Sequence, residues 1–334
     1  MPVSRAETAC TSLGHTSTFA AMDRIFLALK GAAMGVAEVI PGVSGGTIAF
    51  ITGIYETLLQ SIANFSPGRV VATFREGGVS AVWKDVNGPF LVNLAVGMFL
   101  GVLVGVFGVS HLLETYPEIL WAFFFGLIVG SALYIGRQVT GWGVAEIIAI
   151  AVGAGVAYYI TAASPAQGNE ALWFVFICGA IAVSALILPG ISGSFILLLL
   201  GMYTYILPTV KEALSTFAGD KLLVLAVFGA GLLVGLFTFA RFLSWLFQKY
   251  HAPTLALLTG FMIGSLNRLW PWQHVLSYRT DSDGNEVPLL QEPVLPQNYE
   301  GETFLIWVIV AAIIGFSSVF LLEKLGSNKA PYEE

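Results

Sequence analysis

Residues 41–46 read Pro41-Gly42-Val43-Ser44-Gly45-Gly46, and 148 positions later the chain reads Pro189-Gly190-Ile191-Ser192-Gly193-Ser194. Both stretches interrupt apolar runs, one from about Ile25 to Ile62 and one across 171–207. Proline followed by glycine cannot continue a helix, and lipid offers no water to pair the freed backbone groups. Each flank of the first break is about 15 residues, or ~23 Å as helix, short for a ~30 Å hydrocarbon core. That length predicts a re-entrant helical hairpin at 25–62 rather than two complete spans, and a second one at 171–207.

The surrounding chain supports membrane depth. Of 334 residues 56% are hydrophobic and only 11% charged, with a mean hydropathy of +0.81, which excludes an ordinary soluble domain. Apolar runs predict three spans after the first hairpin, at 89–113, 117–136 and 142–161. Three more follow the second, at 221–247, 253–269 and 303–323. Residues 63–88 read as a polar connection and 270–302 as a long polar loop. Residues 1–23 and 324–334 read as tails, the first Ser/Thr-rich and without a signal-peptide core. Cys10 and Cys178 offer neither a disulfide framework nor a metal site, and no cofactor is predicted.

The two interrupted blocks are copies. With Pro41 aligned on Pro189, Gly31 matches Gly179, Ser44 matches Ser192, Gly45 matches Gly193, Gly53 matches Gly201 and Tyr55 matches Tyr203. The copy extends to Gly126-x-x-x-Gly130-Ser131 and Gly260-x-x-x-Gly264-Ser265. Each unit is therefore one hairpin plus three spans, repeat 1 over 24–161 and repeat 2 over 162–323. A hairpin returns to its own side and three spans change sides, so the second unit enters the membrane upside down. The predicted fold class is an all-α polytopic membrane protein built as an inverted repeat, the plan of many secondary transporters. On this plan eleven of the fifteen lysines and arginines share the side of the N-terminus, leaving Lys211, Lys221, Arg268 and Arg279 opposite. The positive-inside rule then places both termini in the cytoplasm and loop 270–302 outside.

A helix that restarts after a break presents N–H groups with no intrahelical partner, and glycines let a ligand approach. Gly42, Ser44, Gly45, Gly46 and Thr47, with Gly190, Ser192, Gly193 and Ser194, therefore form a candidate site for phosphate or carboxylate. Inversion brings the two halves together near the midplane. Burying an ion costs several kcal/mol and a charge-assisted hydrogen bond returns about 1.5–3, so several donors and a cation are needed. The candidate charge partners are Lys30, Glu38, Arg137, Arg241 and Arg268; each arginine also fits as an interfacial residue that snorkels. Glu38, in an apolar setting, is a candidate proton carrier or a partner for Lys30.

Other readings of the same residues stay open. The glycines also suit close helix packing around a kink, and paired breaks suit a channel or transporter for a small anion. Gly42-Val43-Ser44-Gly45-Gly46 also spells G-x-S-x-G, the setting of a nucleophilic serine, which needs a base. Of the four histidines only His111 is near a span, and a single nucleophile has no use for an inverted second copy.

The stretches Lys30-Gly31, Glu38 through Thr47, Gly53-Ile54-Tyr55, Leu188 through Ser194 and Gly201-Met202-Tyr203 resemble the bacterial polyprenyl-phosphate transporter family. The likeness runs over about residues 24–323. The resemblance implies a flippase, not an enzyme, that returns undecaprenyl phosphate from the outer to the inner leaflet of the bacterial plasma membrane for reuse in cell-wall synthesis. Its implied partners are the polyprenyl phosphate and the membrane, not nucleic acid. The phosphate would sit at the two breaks while the tail stays in lipid, beside residues such as Phe123, Phe124, Phe125 and Phe261.

Overall fold

The computed structural model describes residues 24–40, 43–280 and 286–327. Both tails lie largely outside these residues, as do Pro41 and Gly42 of the first motif. The described chain is overwhelmingly helical. The first block is α1 (24–39), α2 (Gly45–Ile51) and α3 (Tyr55–Ala63), followed by α4 (Pro67–Asp85). Then come α5 (Gly88–Thr115), α6 (Pro117–Gln138) and α7 (Val144–Ala162). The second block is α8 (Leu172–Ile187), α9 (Gly193–Leu199) and α10 (Tyr203–Thr216), followed by α11 (Gly219–Lys249), α12 (His251–Gly264) and α13 (Leu305–Ser327).

Each interrupted block thus contains a second break. Gly53 and Gly201 both take left-handed backbone, φ 72° and 68°, and separate the seven-residue α2 and α9 from α3 and α10. The chain bends by 112° between α9 and α10. The matched glycines at 53 and 201 are the residues this turn requires.

Among the described residues, five segments are long and apolar enough to cross a membrane: 67–108, Pro117–Gln138, Val144–Ala162, Gly219–Lys249 and Leu305–Lys324. Five of the six expected spans are among them. The sixth, expected at 253–269, is the 14-residue α12 continued by a 3-10 turn, Ser265–Asn267. Together they run ~27 Å, close to a bilayer core.

Two expected loops are ordered. Residues 63–88 hold α4, started by Ser66, whose Oγ accepts from the Arg69 N–H, and broken at Gly77 and Gly78. Residues 270–302 hold an antiparallel pair, β1 (Gln273–Thr280) and β2 (Glu286–Pro293), in register Gln273↔Pro293 with a bulge after Val275. The base of this hairpin is packed. Trp270 Nε1 donates to the Val294 carbonyl and Trp272 Nε1 to the Thr303 carbonyl, while the Tyr299 hydroxyl donates to buried Glu118 at the start of α6.

Glycines set the helix pairs. A Cβ on Gly31 or Gly35 of α1 would strike carbonyls of α5, and one on Gly97 or Gly101 of α5 would strike carbonyls of α1. Gly179 of α8 and Gly231 and Gly235 of α11 repeat this arrangement. The remaining pairs cross between repeats. Gly126 and Gly315 join α6 to α13, while Gly260, Gly264 and Gly153 join α12 to α7. The expected last helix of each repeat, α7 or α13, packs on the expected middle helix of the other, α12 or α6. This reciprocity is why Gly126-x-x-x-Gly130 recurs at Gly260-x-x-x-Gly264: both hold the same contact.

Candidate functional site

The first break is built around Ser44, which is fully buried. Its extended backbone makes it the N-cap of α2, and its Oγ accepts the Gly46 N–H at 3.0 Å. The same hydroxyl donates to the Leu186 carbonyl at 2.9 Å, across 142 residues of sequence. Thr47 Oγ1 accepts the Gly190 N–H at 3.2 Å, and the Tyr55 hydroxyl donates to the Ile187 carbonyl at 3.1 Å. Leu186 and Ile187 are the last residues of α8, whose final carbonyls have no helical partner. Side chains of the first block therefore cap the broken helix of the second. The predicted convergence of the two breaks is a hydrogen-bonded junction.

Close approach is essential there. A Cβ on Gly46 would run into the Ile187 carbonyl, and one on Gly190 would meet Ser265 Oγ at 2.8 Å and Met262 Cα at 3.0 Å. Gly193 is pressed in the same way against the Ala182 carbonyl of α8.

The donors of the first helix start are not free. Gly45 N–H is bound to Glu38 Oε1 at 2.6 Å, Gly46 N–H to Ser44 Oγ, and Thr47 N–H to the Ser44 carbonyl. Glu38 is thus a second cap on α2, and Lys30, its other expected partner, donates instead to the Thr52 carbonyl at 2.7 Å. In the second break Ser192 is the N-cap of α9 with no side-chain cap, and its Oγ pairs with Ser194 Oγ at 2.8 Å.

The expected arginines separate. Arg241 is spent on the carbonyls of Ala63 (3.4 Å) and Phe65 (3.0 Å), tying α11 to the end of α3. Arg137 is exposed, its guanidinium over the Phe320 ring. Arg268 alone of the three stands at a break, 5.3 Å above the ring of Phe195 in α9. Phe124 is buried in the core and Phe123, Phe125 and Phe261 are packed against it, so the rings expected beside the lipid tail are core packing residues.

The polar contacts at the two ends of α12 are distinct. At its start, Glu56 meets His251 at 3.2 Å and Gln60 accepts from Ser244 and Gln248, lining a small hollow with Leu59 and Phe247. At its end, Thr161 Oγ1 donates to Asn267 Oδ1 at 2.7 Å, with the hairpin base alongside. Sequence reasoning missed Tyr55 as a site residue, although its match with Tyr203 was visible. Among the described residues no histidine bonds to either motif serine, and Ser44 Oγ has a carbonyl and a backbone N–H as partners. The side chain of His111, the histidine expected near a span, lies outside the described residues.

A family model described as undecaprenyl phosphate translocase-like (VCA0040-like) matches residues 34–287, a stretch that includes both breaks. The chain belongs to this family. It is 44% identical over 279 residues to a polyprenyl-phosphate transporter of Vibrio cholerae, covering 84% of this chain and 88% of that protein. A polyprenyl-phosphate transporter of Staphylococcus aureus is 32% identical over 258 residues, 73% of this chain and 85% of the relative. No solved structure matches the chain. Family membership thus rests on the segment that folds into the paired breaks and the helices α5–α12 around them.

Proposed function

We propose that the protein moves a polyprenyl phosphate across the membrane, with undecaprenyl phosphate as the substrate, from the outer to the inner leaflet of a bacterial plasma membrane. The observation that carries this is the junction itself: two copies of a P-G-x-S-G break, hydrogen-bonded to each other within a family whose relatives are polyprenyl-phosphate transporters. A lipid phosphate needs a polar path for its head alone, and the apolar chain can stay in lipid. Ser44, Gly45, Gly46 and Thr47 with Gly190, Ser192, Gly193 and Ser194 line that path in this reading, while Gly42 of the same motif lies outside the described residues. The work is transport and not hydrolysis, with the carrier lipid returned for cell-wall assembly.

The topology we propose is the inverted repeat, with both termini cytoplasmic and the β1–β2 hairpin outside. Reciprocal lending of α7 and α13 between the repeats supports a two-fold relation. Moving a phosphate monoanion inward against an inside-negative potential costs about 2.3 kcal/mol per charge per 100 mV. A proton travelling with it cancels that cost, and Glu38, bonded to the first break, is the group we assign to it.

The test is leaflet exchange in proteoliposomes, comparing polyprenyl phosphate with ordinary phospholipid. Wild type should exchange the polyprenyl phosphate selectively, and Ser44→Ala with Ser192→Ala should lose most of that exchange. Equal exchange of both lipids would make the protein a nonspecific scramblase and overturn the proposal. An unchanged pH dependence in Glu38→Gln would remove the proton from it.

A further inference from the structure

The two breaks differ in charge. Under the 148-residue offset the second copy has Leu186 where the first has Glu38. A carboxyl group therefore sits on Gly45 of the first break, and the second break has none at the equivalent position. The side chains of the first break are also committed: Ser44 and Tyr55 to the carbonyls of α8, Thr47 to the Gly190 N–H.

The second break is differently furnished. Ser192 and Ser194 engage each other through their hydroxyls, and Arg268 lies half-buried over Phe195, one residue beyond Ser194. Among the described residues the Arg268 guanidinium has no hydrogen-bond or ion-pair partner. Other cations are spent: Lys30 on Thr52, Arg241 on Ala63 and Phe65, Arg69 on Asp85, Lys221 on Glu212. A guanidinium carries five N–H donors in a fork that fits a phosphate. Left half-buried without an acceptor it is costly, and an anionic ligand offsets that cost.

We propose that the lipid's phosphomonoester head docks on the second break, held by the Arg268 guanidinium and the Ser192 and Ser194 hydroxyls. The first break faces it as a keystone that caps α8 and carries the carboxyl group. The site is one-sided, although the repeats that build it are matched. This inference rests on the lipid-phosphate reading above and deepens it.

The experiment is equilibrium binding to the purified full-length chain in nanodiscs. The probes are a short polyprenyl monophosphate, the matching polyprenol and inorganic phosphate. Wild type should bind the monophosphate about tenfold or more tightly than the alcohol. Arg268→Gln should weaken the monophosphate by about tenfold or more and leave the alcohol unchanged. Arg241→Gln, which removes the same charge from the α3 contact, should stay within about twofold of wild type.

Arg268→Gln binding like wild type, with the preference for phosphate over alcohol intact, would overturn the inference and leave the lipid-phosphate reading standing. If the glutamine variant does not fold, Arg268→Lys decides. It keeps a point charge but loses the fork, so about threefold or greater weakening is expected, and wild-type affinity overturns the assignment. A wild type with no preference for the monophosphate over the alcohol would sink the lipid-phosphate reading and this site with it. Inorganic phosphate bound as tightly as the lipid would overturn the lipid head as the ligand.

Discussion

Replacing Ser44 with alanine tests the junction most directly, because one hydroxyl serves two buried backbone groups. It accepts from Gly46 N–H at 3.0 Å and donates to the Leu186 carbonyl at 2.9 Å. Alanine leaves both groups unpaired where water is scarce, and each orphan costs about 1–3 kcal/mol, so the total is about 2–6 kcal/mol. At about 2 °C per kcal/mol for a chain of this size, the midpoint of thermal unfolding should fall by on the order of 4–12 °C. The matched change Ser192→Ala removes one hydroxyl pair, from which Ser194 Oγ can turn away, and should cost about 0.5–1.5 kcal/mol. The assay is thermal unfolding in detergent followed by size-exclusion chromatography of both variants side by side. Ser192→Ala destabilising as much as Ser44→Ala would refute the division of labour between the breaks.

Three further perturbations probe the frame. Gly190→Ala places a Cβ at φ 88°, 2.8 Å from Ser265 Oγ, so the folded yield should drop and thermal stability should fall by about 1–3 kcal/mol or more. Gly315→Ala drives a methyl group into the Phe123 carbonyl and should separate α13 from α6, lowering the unfolding midpoint more than Gly108→Ala, which meets open space. Tyr299→Phe leaves buried Glu118 without its hydroxyl partner and should cost about 1–3 kcal/mol; limited proteolysis within 270–304 should speed up, and an unchanged rate would show that the hairpin base is held by the tryptophans alone.

Much of the frame was legible because membrane insertion leaves few uses for proline, glycine and serine in an apolar run. The breaks at 41–46 and 189–194, the match of Gly53 with Gly201, and the glycine spacing at 126–130 and 260–264 each map onto a structural joint. The hidden features depend on long-range contacts. Nothing local in Glu38 says that it turns back to cap Gly45, since Lys30 was an equally good neighbour until the chain was folded. The helix at 67–85 was obscured by Gly77 and Gly78, which break it midway. The strand Gln273–Thr280 alternates poorly because a bulge after Val275 shifts its register, so the polar run around it read as a loop.

The residues that match between the repeats, and those that do not, then take different jobs. Glycines match because both copies must let helices touch. Ser44 and Ser192 match in position and backbone, since each is an extended N-cap of a seven-residue helix. Their side chains nevertheless differ in use, because Ser44 bonds to α8 and Thr47 beside it to Gly190, while Ser192 pairs with Ser194 and Phe195 replaces Thr47 in the second copy. That replacement supplies the ring on which Arg268 rests. The loss of a polar contact in one copy therefore makes the platform for a cation that the other copy lacks. Two matched breaks can hold one charged head in one place only if they diverge at such positions.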